Sequence, residues 1–319
     1  LSLTVDLDIQ NIIEREATNA YLKYNPDGIW VLAMDPNSGA ILGMSSKPDY
    51  DPNDYQQYDA TLYNQNTPIF RSYEPGSVFK ILTFAAGLNE NLYDMDKDYY
   101  HDIGYEYVSG TRIKSWKVGG HGYQSFREVL QNSSNPGFVE ISRRLGKDKI
   151  YEYVTKYGLT NKTGIDLPGE NQGIMFSYDN FHPLEQATVC FGQGISVTAI
   201  QLVRAVCACV NGGYLYQPYI VDEIKEPMTG EIISKTEPKV ISQVISSETS
   251  MKMRDALETV VTDGGGKSAY IEGYRIGGKT GTAQKAVNGS YVDGGYILSF
   301  IGIAPIDNPQ IVLYVAMDN

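Results

Sequence analysis

Residues 73–88, YEPGSVFKILTFAAGL, constrain the fold of this chain more than any other stretch. Pro75 and Gly76 predict a turn, and the nearly unbroken apolar run that follows Ser77 predicts a buried helix. Lys80 is the exception in that run, because a buried helix does not readily carry a charged amine. Ser77 and Lys80 lie three residues apart, so their side chains are expected on one face, with the amine close to the hydroxyl.

A serine and a lysine in this arrangement can perform nucleophilic chemistry. A serine hydroxyl needs a base to remove its proton, and a lysine in a desolvated site loses part of its preference for the charged form. The helix start adds free N–H groups and a positive partial charge where an oxyanion develops. The S-x-x-K spacing alone is a weak signal, since a surface serine followed by a solvated lysine gives the same letters.

Two further motifs strengthen the signal. Ser133-Ser134-Asn135 and Lys279-Thr280-Gly281 follow in the order in which S-x-x-K, S-x-N and K-T-G occur in penicillin-binding proteins and class A β-lactamases. The segments LTVDLDIQ (3–10), FGQGIS (191–196) and GKTGTAQK (278–285) extend the match. Almost the whole chain thus resembles the transpeptidase domain of class B penicillin-binding proteins, and is most similar to the sporulation-specific branch.

The resemblance implies four catalytic roles around the scissile bond of a peptidoglycan stem peptide that ends in D-Ala-D-Ala. Ser77 attacks the carbonyl between the two D-alanines, and Lys80 takes the proton of its hydroxyl. Ser133 passes that proton toward the leaving amine, while Asn135 binds the substrate amide and Lys80. The Ser133-Ser134-Asn135 tripeptide alone has a second explanation that is at least as good. In it, Ser133 and Asn135 only cap the helix that Pro136 begins.

The resemblance also implies that the Lys279 segment binds the substrate. Lys279 is expected to bind the terminal carboxylate, helped by the hydroxyls of Thr280 and Thr282. Gly281 removes side-chain bulk, so that a peptide strand can approach the backbone closely. The backbone N–H groups of Ser77 and Thr282 are expected to form the oxyanion hole.

The pattern of the whole chain predicts an α+β fold, and the resemblance implies that this fold is of the penicillin-binding-protein and serine β-lactamase type. Five strands from the two ends of the sequence are expected to form one antiparallel sheet, flanked by helices and a mainly helical middle. These strands are Ile29–Met34, Ala40–Met44, Tyr274–Ala283, Ile297–Ala304 and Ile311–Met317. We expect one transpeptidase domain, with a sheet subdomain at residues 1–50 and 265–319 and a mainly helical subdomain at residues 51–264.

Other segments carry clear local signals. Ser125 and Glu128 match a capping box, which predicts a short helix that ends near Asn132. A second K-T-G tripeptide at residues 162–164 is predicted to be structural, since a turn-rich segment follows it. Further predicted elements are helices from Asp8, at Gly137–Leu145, at Thr198–Val210 and at Ser250–Val261, a hairpin at Ser109-Gly110, and a hairpin of Tyr214–Lys225 with Glu231–Lys235.

Composition limits the class of partner. The formal charge of −12 argues against nucleic acid or an anionic membrane surface as a partner. No apolar run reaches the roughly 20 residues that span a bilayer. The resemblance nevertheless implies an extracytoplasmic location at the bacterial membrane, with an N-terminal anchor and a pedestal domain before this segment. It also implies β-lactams as ligands and a membrane glycan polymerase as a partner.

No cofactor and no metal are predicted for this chain. Its three cysteines, Cys190, Cys207 and Cys209, are expected to be buried hydrophobic residues without disulfides. Sporulation relatives often carry cysteine where this chain has Ser115 and Ser134, which suggests a zinc site completed by His121 and Asp102. We expect that site to be lost here, because serine is a poor zinc ligand. The alternative interpretation is that Ser115 and Ser134 are simply exposed polar residues, unrelated to a zinc site.

Four alternatives stay open at the level of the sequence. A cell-division transpeptidase of the same class would carry the same motifs. A β-lactam-sensing receptor domain would be acylated but would not process a D-Ala-D-Ala peptide. A serine β-lactamase would need a glutamate to activate water for deacylation, and a Ser-His-Asp hydrolase would need His101, His121 or His182 beside Ser77.

Overall fold

A computed structural model describes residues 1–287 and 290–319 of the chain. Its central element is one sheet of five antiparallel strands. In chain order these strands are β1 (Gly28–Met34), β2 (Ile41–Lys47), β3 (Gly277–Val287), β4 (Ser290–Ala304) and β5 (Ile311–Asp318). Their order across the sheet is β3-β4-β5-β1-β2, which places the Lys279 strand at one edge.

Six helices pack around this sheet and carry or support the motif residues. They are α1 (Leu7–Tyr24), α2 (Lys80–Asn89), α3 (Phe126–Gln131), α4 (Asn135–Lys156), α5 (Ala199–Val210) and α6 (Ser247–Thr262). Further α-helices and 3-10 turns occur at Tyr55–Gln57, Ala60–Asn64, Thr67–Phe70, Gly76–Phe79, Tyr178–Asn180, Pro183–Val189 and Lys267–Ala269. Within the described residues, no helix is both long and apolar enough to cross a bilayer.

The remaining strands form small separate pairings. Ser2–Leu3, Val221–Lys225 and Ile232–Lys235 form one three-stranded sheet. The two-stranded pairs are Ser72–Tyr73 with Val197–Thr198, Tyr99–Asp102 with Gly122–Ser125, Tyr105–Val108 with Thr111–Lys114, and Tyr214–Tyr216 with Val240–Gln243.

Burial on both faces of the sheet explains the composition of its central strand. All seven residues of β1 are buried, because α1 covers one face of the sheet and the main core covers the other. Such a strand reads as a continuous apolar run rather than an alternating one. By contrast, α2 lies inside the main core, and residues 80–88 of this helix are all buried.

The fold class and most predicted elements are confirmed. The five strands form the expected antiparallel sheet. The capping box at Ser125 and Glu128 is present, and α3 ends before Asn132. The hairpin at Ser109-Gly110 is present, with both residues at positive φ, as a tight turn between twisted strands requires. The three cysteines are free and buried.

Two predictions are corrected in part. The predicted helix Gly137–Leu145 is the first part of the longer α4, whose backbone breaks at Gly146 with φ 71°. The predicted hairpin of Tyr214–Lys225 with Glu231–Lys235 holds only for Val221–Lys225 with Ile232–Lys235. Tyr214–Tyr216 pairs instead with Val240–Gln243, because local alternation in a sequence does not specify which later strand completes the pair.

Candidate active site

The serine of the S-x-x-K motif lies in a tight turn at the start of the buried helix α2. Residues Gly76–Phe79 form a 3-10 turn, and Lys80 is the first residue of α2. Gly76 has φ 56°, and a Cβ atom there would lie 2.8 Å from the backbone oxygen of Thr282. Only glycine permits this approach, so the turn that carries Ser77 lies directly against strand β3.

Lys80 is fully buried and its amine is surrounded by oxygen atoms of the second motif. Its Nζ lies 2.7 Å from the Ser133 backbone oxygen, 3.0 Å from Ser133 Oγ and 2.7 Å from Asn135 Oδ1. Burial, and secondarily the positive charge of Lys279, holds the pKa of Lys80 well below its ordinary value. All three oxygen atoms are placed to accept hydrogen bonds from Nζ. When the amine is neutral, its two N–H groups can still donate to the two carbonyl-type oxygens, and its lone pair is free to accept the proton of a hydroxyl.

The contacts of Lys80 differ from the sequence-based expectation in one respect. The sequence predicts an amine that meets the hydroxyl of Ser77 one helical turn away. In the described part of the chain, the hydrogen bonds of the Lys80 amine go to Ser133 and to Asn135, and the contact with Asn135 is the one that the family resemblance implied. The spacing of Ser77 and Lys80 determines on which face of the helix the Lys80 side chain lies. It does not determine which atoms of a neighbouring loop become hydrogen-bond partners of the amine.

The loop Ser133–Asn135 is held by helices on both sides. Asn132 caps the C-terminal end of α3, and the Ser134 hydroxyl accepts a hydrogen bond from the Gly137 backbone N–H at the start of α4. Ser133 adopts φ 53°, which is uncommon for a residue with a Cβ atom and is typical of functional loops. In this conformation both its backbone oxygen and its hydroxyl reach Lys80.

Lys279 is the second buried amine of the site. It lies on β3 with 1% of its surface exposed, and its Nζ donates to the backbone oxygen of Thr280 at 3.2 Å. Burial lowers the pKa of Lys279 to about 7. Because the positive charge of Lys279 also lowers the pKa of Lys80, the two amines of the site are electrostatically coupled.

Strand β3 and the nucleophile turn fit together without space for side chains. A Cβ atom at Gly281 would lie 2.3 Å from Ser299 Oγ and 2.9 Å from Cγ2 of Val78. The FGQGIS segment closes the other side, where Gly76 N–H donates to the Gly192 backbone oxygen at 3.0 Å. The backbone of Thr282 on β3 thus lies against Gly76, the residue that precedes Ser77.

Five of the eight predicted site residues border one cleft of about 560 Å³. Its described lining residues are Ser77, Trp116, Gln131, Asn132, Ser133, Asn135, Asp263, Gly264, Gly265, Thr280 and Thr282. The amines of Lys80 and Lys279 are buried in the protein around it rather than exposed on its surface. The structure therefore brings together Ser77, Ser133, Asn135, Thr280 and Thr282 from three distant parts of the sequence.

The residues that line the outer part of the cleft were not predicted from the sequence. They include Trp116, Asn132 and residues 263–265. A tryptophan within an irregular polar segment was an available signal. The second K-T-G tripeptide is confirmed as structural, since Thr163 and Gly164 donate hydrogen bonds to the carboxylate of Glu170.

The four residues of the suggested ancestral zinc site have different surroundings here. Ser134 Oγ donates to Asp102 Oδ2 at 2.8 Å, so a hydroxyl satisfies this buried carboxylate. Ser115 Oγ and His121 Nε2 are buried without a partner among the described residues. Hydroxyls do not fit a structural zinc site. In the described ranges, His, Cys, Asp and Glu side chains form no group of three that could hold a metal. Loss of a zinc site stays a prediction.

A serine at a helix start, a buried amine, a serine-asparagine segment and a lysine on an edge strand are the kinds of groups that acyl transfer to serine requires. The family model described as "Penicillin binding protein transpeptidase domain" matches residues 29–319. The chain therefore belongs to the penicillin-binding protein transpeptidase family.

Similarity to known proteins covers the whole chain. The chain is 54% identical to Stage V sporulation protein D of Bacillus subtilis over 319 residues, which are 100% of this chain and 49% of that protein. It is 33% identical to the peptidoglycan D,D-transpeptidase FtsI homolog of Mesostigma viride, with coverage of 100% of this chain and 57% of that protein. The chain thus spans about half the length of these curated relatives.

Solved structures have the same fold. Penicillin binding protein 3 from Mycobacterium tuberculosis, complexed with ampicillin, superimposes with a TM-score of 0.93 at 30% identity, covering 99% of this chain and 72% of that chain. The apo transpeptidase domain of Burkholderia pseudomallei penicillin-binding protein 3 gives a TM-score of 0.85 at 28% identity, with coverage of 99% and 88%.

Proposed function

We propose that this chain is a peptidoglycan D,D-transpeptidase that cross-links stem peptides through an acyl-enzyme on Ser77. The observation that carries the proposal is the environment of Lys80. Its amine is fully buried, has a lowered pKa and contacts both Ser133 and Asn135. Burial of a lysine without a carboxylate partner lowers the stability of the fold. A role in proton transfer at a nearby serine explains why a lysine occupies this position.

Acylation begins when the terminal carboxylate of a D-Ala-D-Ala peptide binds to the ammonium form of Lys279. The peptide extends along the free edge of β3, as an added strand. Lys80 removes the proton of Ser77, whose oxygen attacks the carbonyl carbon between the two D-alanines. The backbone N–H groups of Ser77 and Thr282 stabilise the oxyanion.

Collapse of this intermediate breaks the C–N bond and releases D-alanine. The proton on Lys80 reaches the leaving nitrogen through the hydroxyl of Ser133, which lies 3.0 Å from the Lys80 amine. Hydroxyl rotation allows Ser133 to accept from one group and donate to another. The amine of a second stem peptide then attacks the ester, forms the cross-link and frees Ser77. A β-lactam imitates the dipeptide and stops at the ester.

The finer role that we propose is synthesis of the spore cortex. The support is 54% identity over the full chain to Stage V sporulation protein D. The same support favours a location on the extracytoplasmic face of the membrane, an N-terminal anchor outside this segment, and a membrane glycan polymerase as a partner. Replacement of the corresponding segment in a sporulating host, followed by measurement of heat-resistant spores and vegetative division, separates this role from cell division.

Mass spectrometry after incubation with a labelled penicillin tests the central proposal. We expect one adduct on Ser77, no adduct in Ser77→Ala, and acylation slowed by about a hundredfold or more in Lys80→Ala, since the general base is lost. An adduct on another residue refutes the assignment. Failure to release D-alanine from a D-Ala-D-Ala peptide would indicate a sensor domain, and fast penicillin turnover would indicate a β-lactamase.

A further inference from the structure

Two loops meet at the outer end of the cleft, where the proposed acylation chemistry assigns no role to their residues. The indole N–H of Trp116 donates to the Asn132 backbone oxygen at 2.7 Å. The backbone N–H of Gly265 donates to the neighbouring oxygen, that of Gln131, at 3.2 Å. Consecutive carbonyls at the end of α3 thus hold Trp116 and the loop that contains Asp263 against the same cleft.

Trp116 is unusually exposed for a side chain whose position is fixed by a hydrogen bond and a ring contact. Its side chain is 71% exposed, although its indole N–H is hydrogen-bonded and its ring packs edge-on against His121 at 5.3 Å between centroids. The core therefore does not require the indole. A fixed and exposed aromatic face beside a reactive serine is suited to contact a ligand, and indole faces attract cations.

Asp263 is the one acidic residue among the eleven described residues that line the cleft. It caps the C-terminal end of α6, where the helix dipole disfavours negative charge. Its carboxylate accepts a hydrogen bond from the neutral hydroxyl of Thr262 at 2.7 Å. Helix stability therefore does not explain an aspartate at this position. Residues that oppose the local preference of a helix end are most often found at functional sites.

The glycines next to Asp263 keep this part of the cleft open. A Cβ atom at Gly265 would approach Thr280 Oγ1 at 3.7 Å and the Gln131 backbone oxygen at 3.8 Å, which are ordinary contacts. The φ angle of Gly265 is not in the left-handed region. The backbone therefore tolerates a side chain at residue 265, and its absence leaves space in the cleft beside Asp263 and Thr280.

We propose that Asp263 and Trp116 bind the cationic amine group of the second substrate, the stem peptide that attacks the acyl-enzyme. This inference rests on the proposed transpeptidase function. A carboxylate and an exposed indole together provide the chemistry that recognises an ammonium group. The carboxylate of the first substrate is assigned to Lys279. The two substrates are thus distinguished by charge, and Asp263 offsets the repulsion between Lys279 and an arriving cation.

The amine must lose a proton before it reacts. The bound ammonium group releases one proton to water in the open cleft and becomes a neutral amine. Its nitrogen then attacks the acyl carbonyl carbon, the bond from that carbon to Ser77 Oγ breaks, and a second N–H proton passes to the Ser77 oxygen. An ester and an amine are converted into an amide and a serine hydroxyl, and no other reactant is needed.

Partition of the acyl-enzyme between aminolysis and hydrolysis tests this inference. The donor is a D-Ala-D-Ala peptide, and the acceptors are a stem peptide with one free side-chain amine and hydroxylamine, which is uncharged near neutral pH. In Asp263→Asn, we expect the ratio of aminolysis to hydrolysis for the charged acceptor to fall about fivefold, as loss of one solvated ion pair predicts. The ratio for hydroxylamine is expected to stay unchanged.

Matched variants separate binding of the amine from structural effects. Glu272→Gln removes one exposed negative charge from the segment between α6 and β3, outside the cleft lining, and is expected to leave both ratios unchanged. Trp116→Leu and Trp116→Phe both lose the hydrogen bond to Asn132, but only the second keeps an aromatic face. We therefore expect charged-acceptor use to fall more in Trp116→Leu.

Three results would overturn the inference. The first is an unchanged ratio for the charged acceptor in Asp263→Asn. The second is an equal loss with both acceptors, and the third is a loss confined to acylation, which would assign Asp263 to the first substrate. Failure of the wild-type protein to form any acyl-enzyme at Ser77 would refute the proposed function itself, and the acylation measurement identifies that case separately.

Discussion

The lowered pKa of Lys279 leads us to expect that the rate of acylation and the free energy of unfolding change in opposite directions with pH. Burial lowers the pKa of Lys279 to about 7, and only its ammonium form attracts the carboxylate of a penicillin. Acylation at low penicillin concentration reports the ionisation of the free enzyme. With that pKa, the protonated fraction of Lys279 falls about fiftyfold between about pH 7 and about pH 9. The acylation rate constant is expected to fall with it as long as Lys80, whose pKa is lowered by burial, is already neutral.

Folding stability changes with the other sign over the same interval. The unfolded chain keeps Lys279 protonated up to its ordinary pKa of about 10.4, so between about pH 7 and that value the unfolded state binds more protons. Stability therefore rises with pH as the cost of burying the charge disappears. For one group with the pKa given above, the free energy of unfolding increases by about 2 kcal/mol from about pH 7 to about pH 9.

A fluorescent penicillin gives the acylation rate constant across this range, and urea unfolding gives the stability at each pH. Lys279→Arg keeps its charge throughout, so its acylation is expected to lack the decrease above about pH 7. Lys279→Met isolates the contribution of the amine, because its stability should lack the rise with pH seen in the wild type. A wild-type acylation rate that stays constant to about pH 9, or an equal decrease in Lys279→Arg, would refute the argument.

Two substitutions test the packing that positions the site. Gly281→Ala places a Cβ atom 2.9 Å from Cγ2 of Val78. Displacement of the nucleophile turn should slow penicillin acylation by about a hundredfold, and a normal rate would show that the turn does not depend on this contact. Ser134→Ala removes the hydrogen bond to buried Asp102 and a helix cap. The free energy of unfolding should fall by about 2 kcal/mol, measured by urea denaturation; an unchanged midpoint would contradict this.

Local sequence signals predicted the main elements because their causes are local. The continuous apolar run of β1 reports burial on both faces, and the pattern after Ser77 reports a buried helix. The capping box at Ser125 needs only four consecutive residues. The partner of Tyr214–Tyr216 was missed, since pairing with Val240–Gln243 depends on the path of the chain between them.

The same distinction applies to the site. The sequence by itself determined the reactive groups, since the spacing of Ser77 and Lys80 and the two tripeptides specify the hydroxyls of two serines, two amines and an amide. Only the tertiary structure decided that the backbone oxygen and hydroxyl of Ser133 contact the Lys80 amine, and that Trp116 and Asp263 border the same cleft. Burial and the distances between remote loops set pKa values and contacts, and neither quantity is a property of neighbouring residues in the chain.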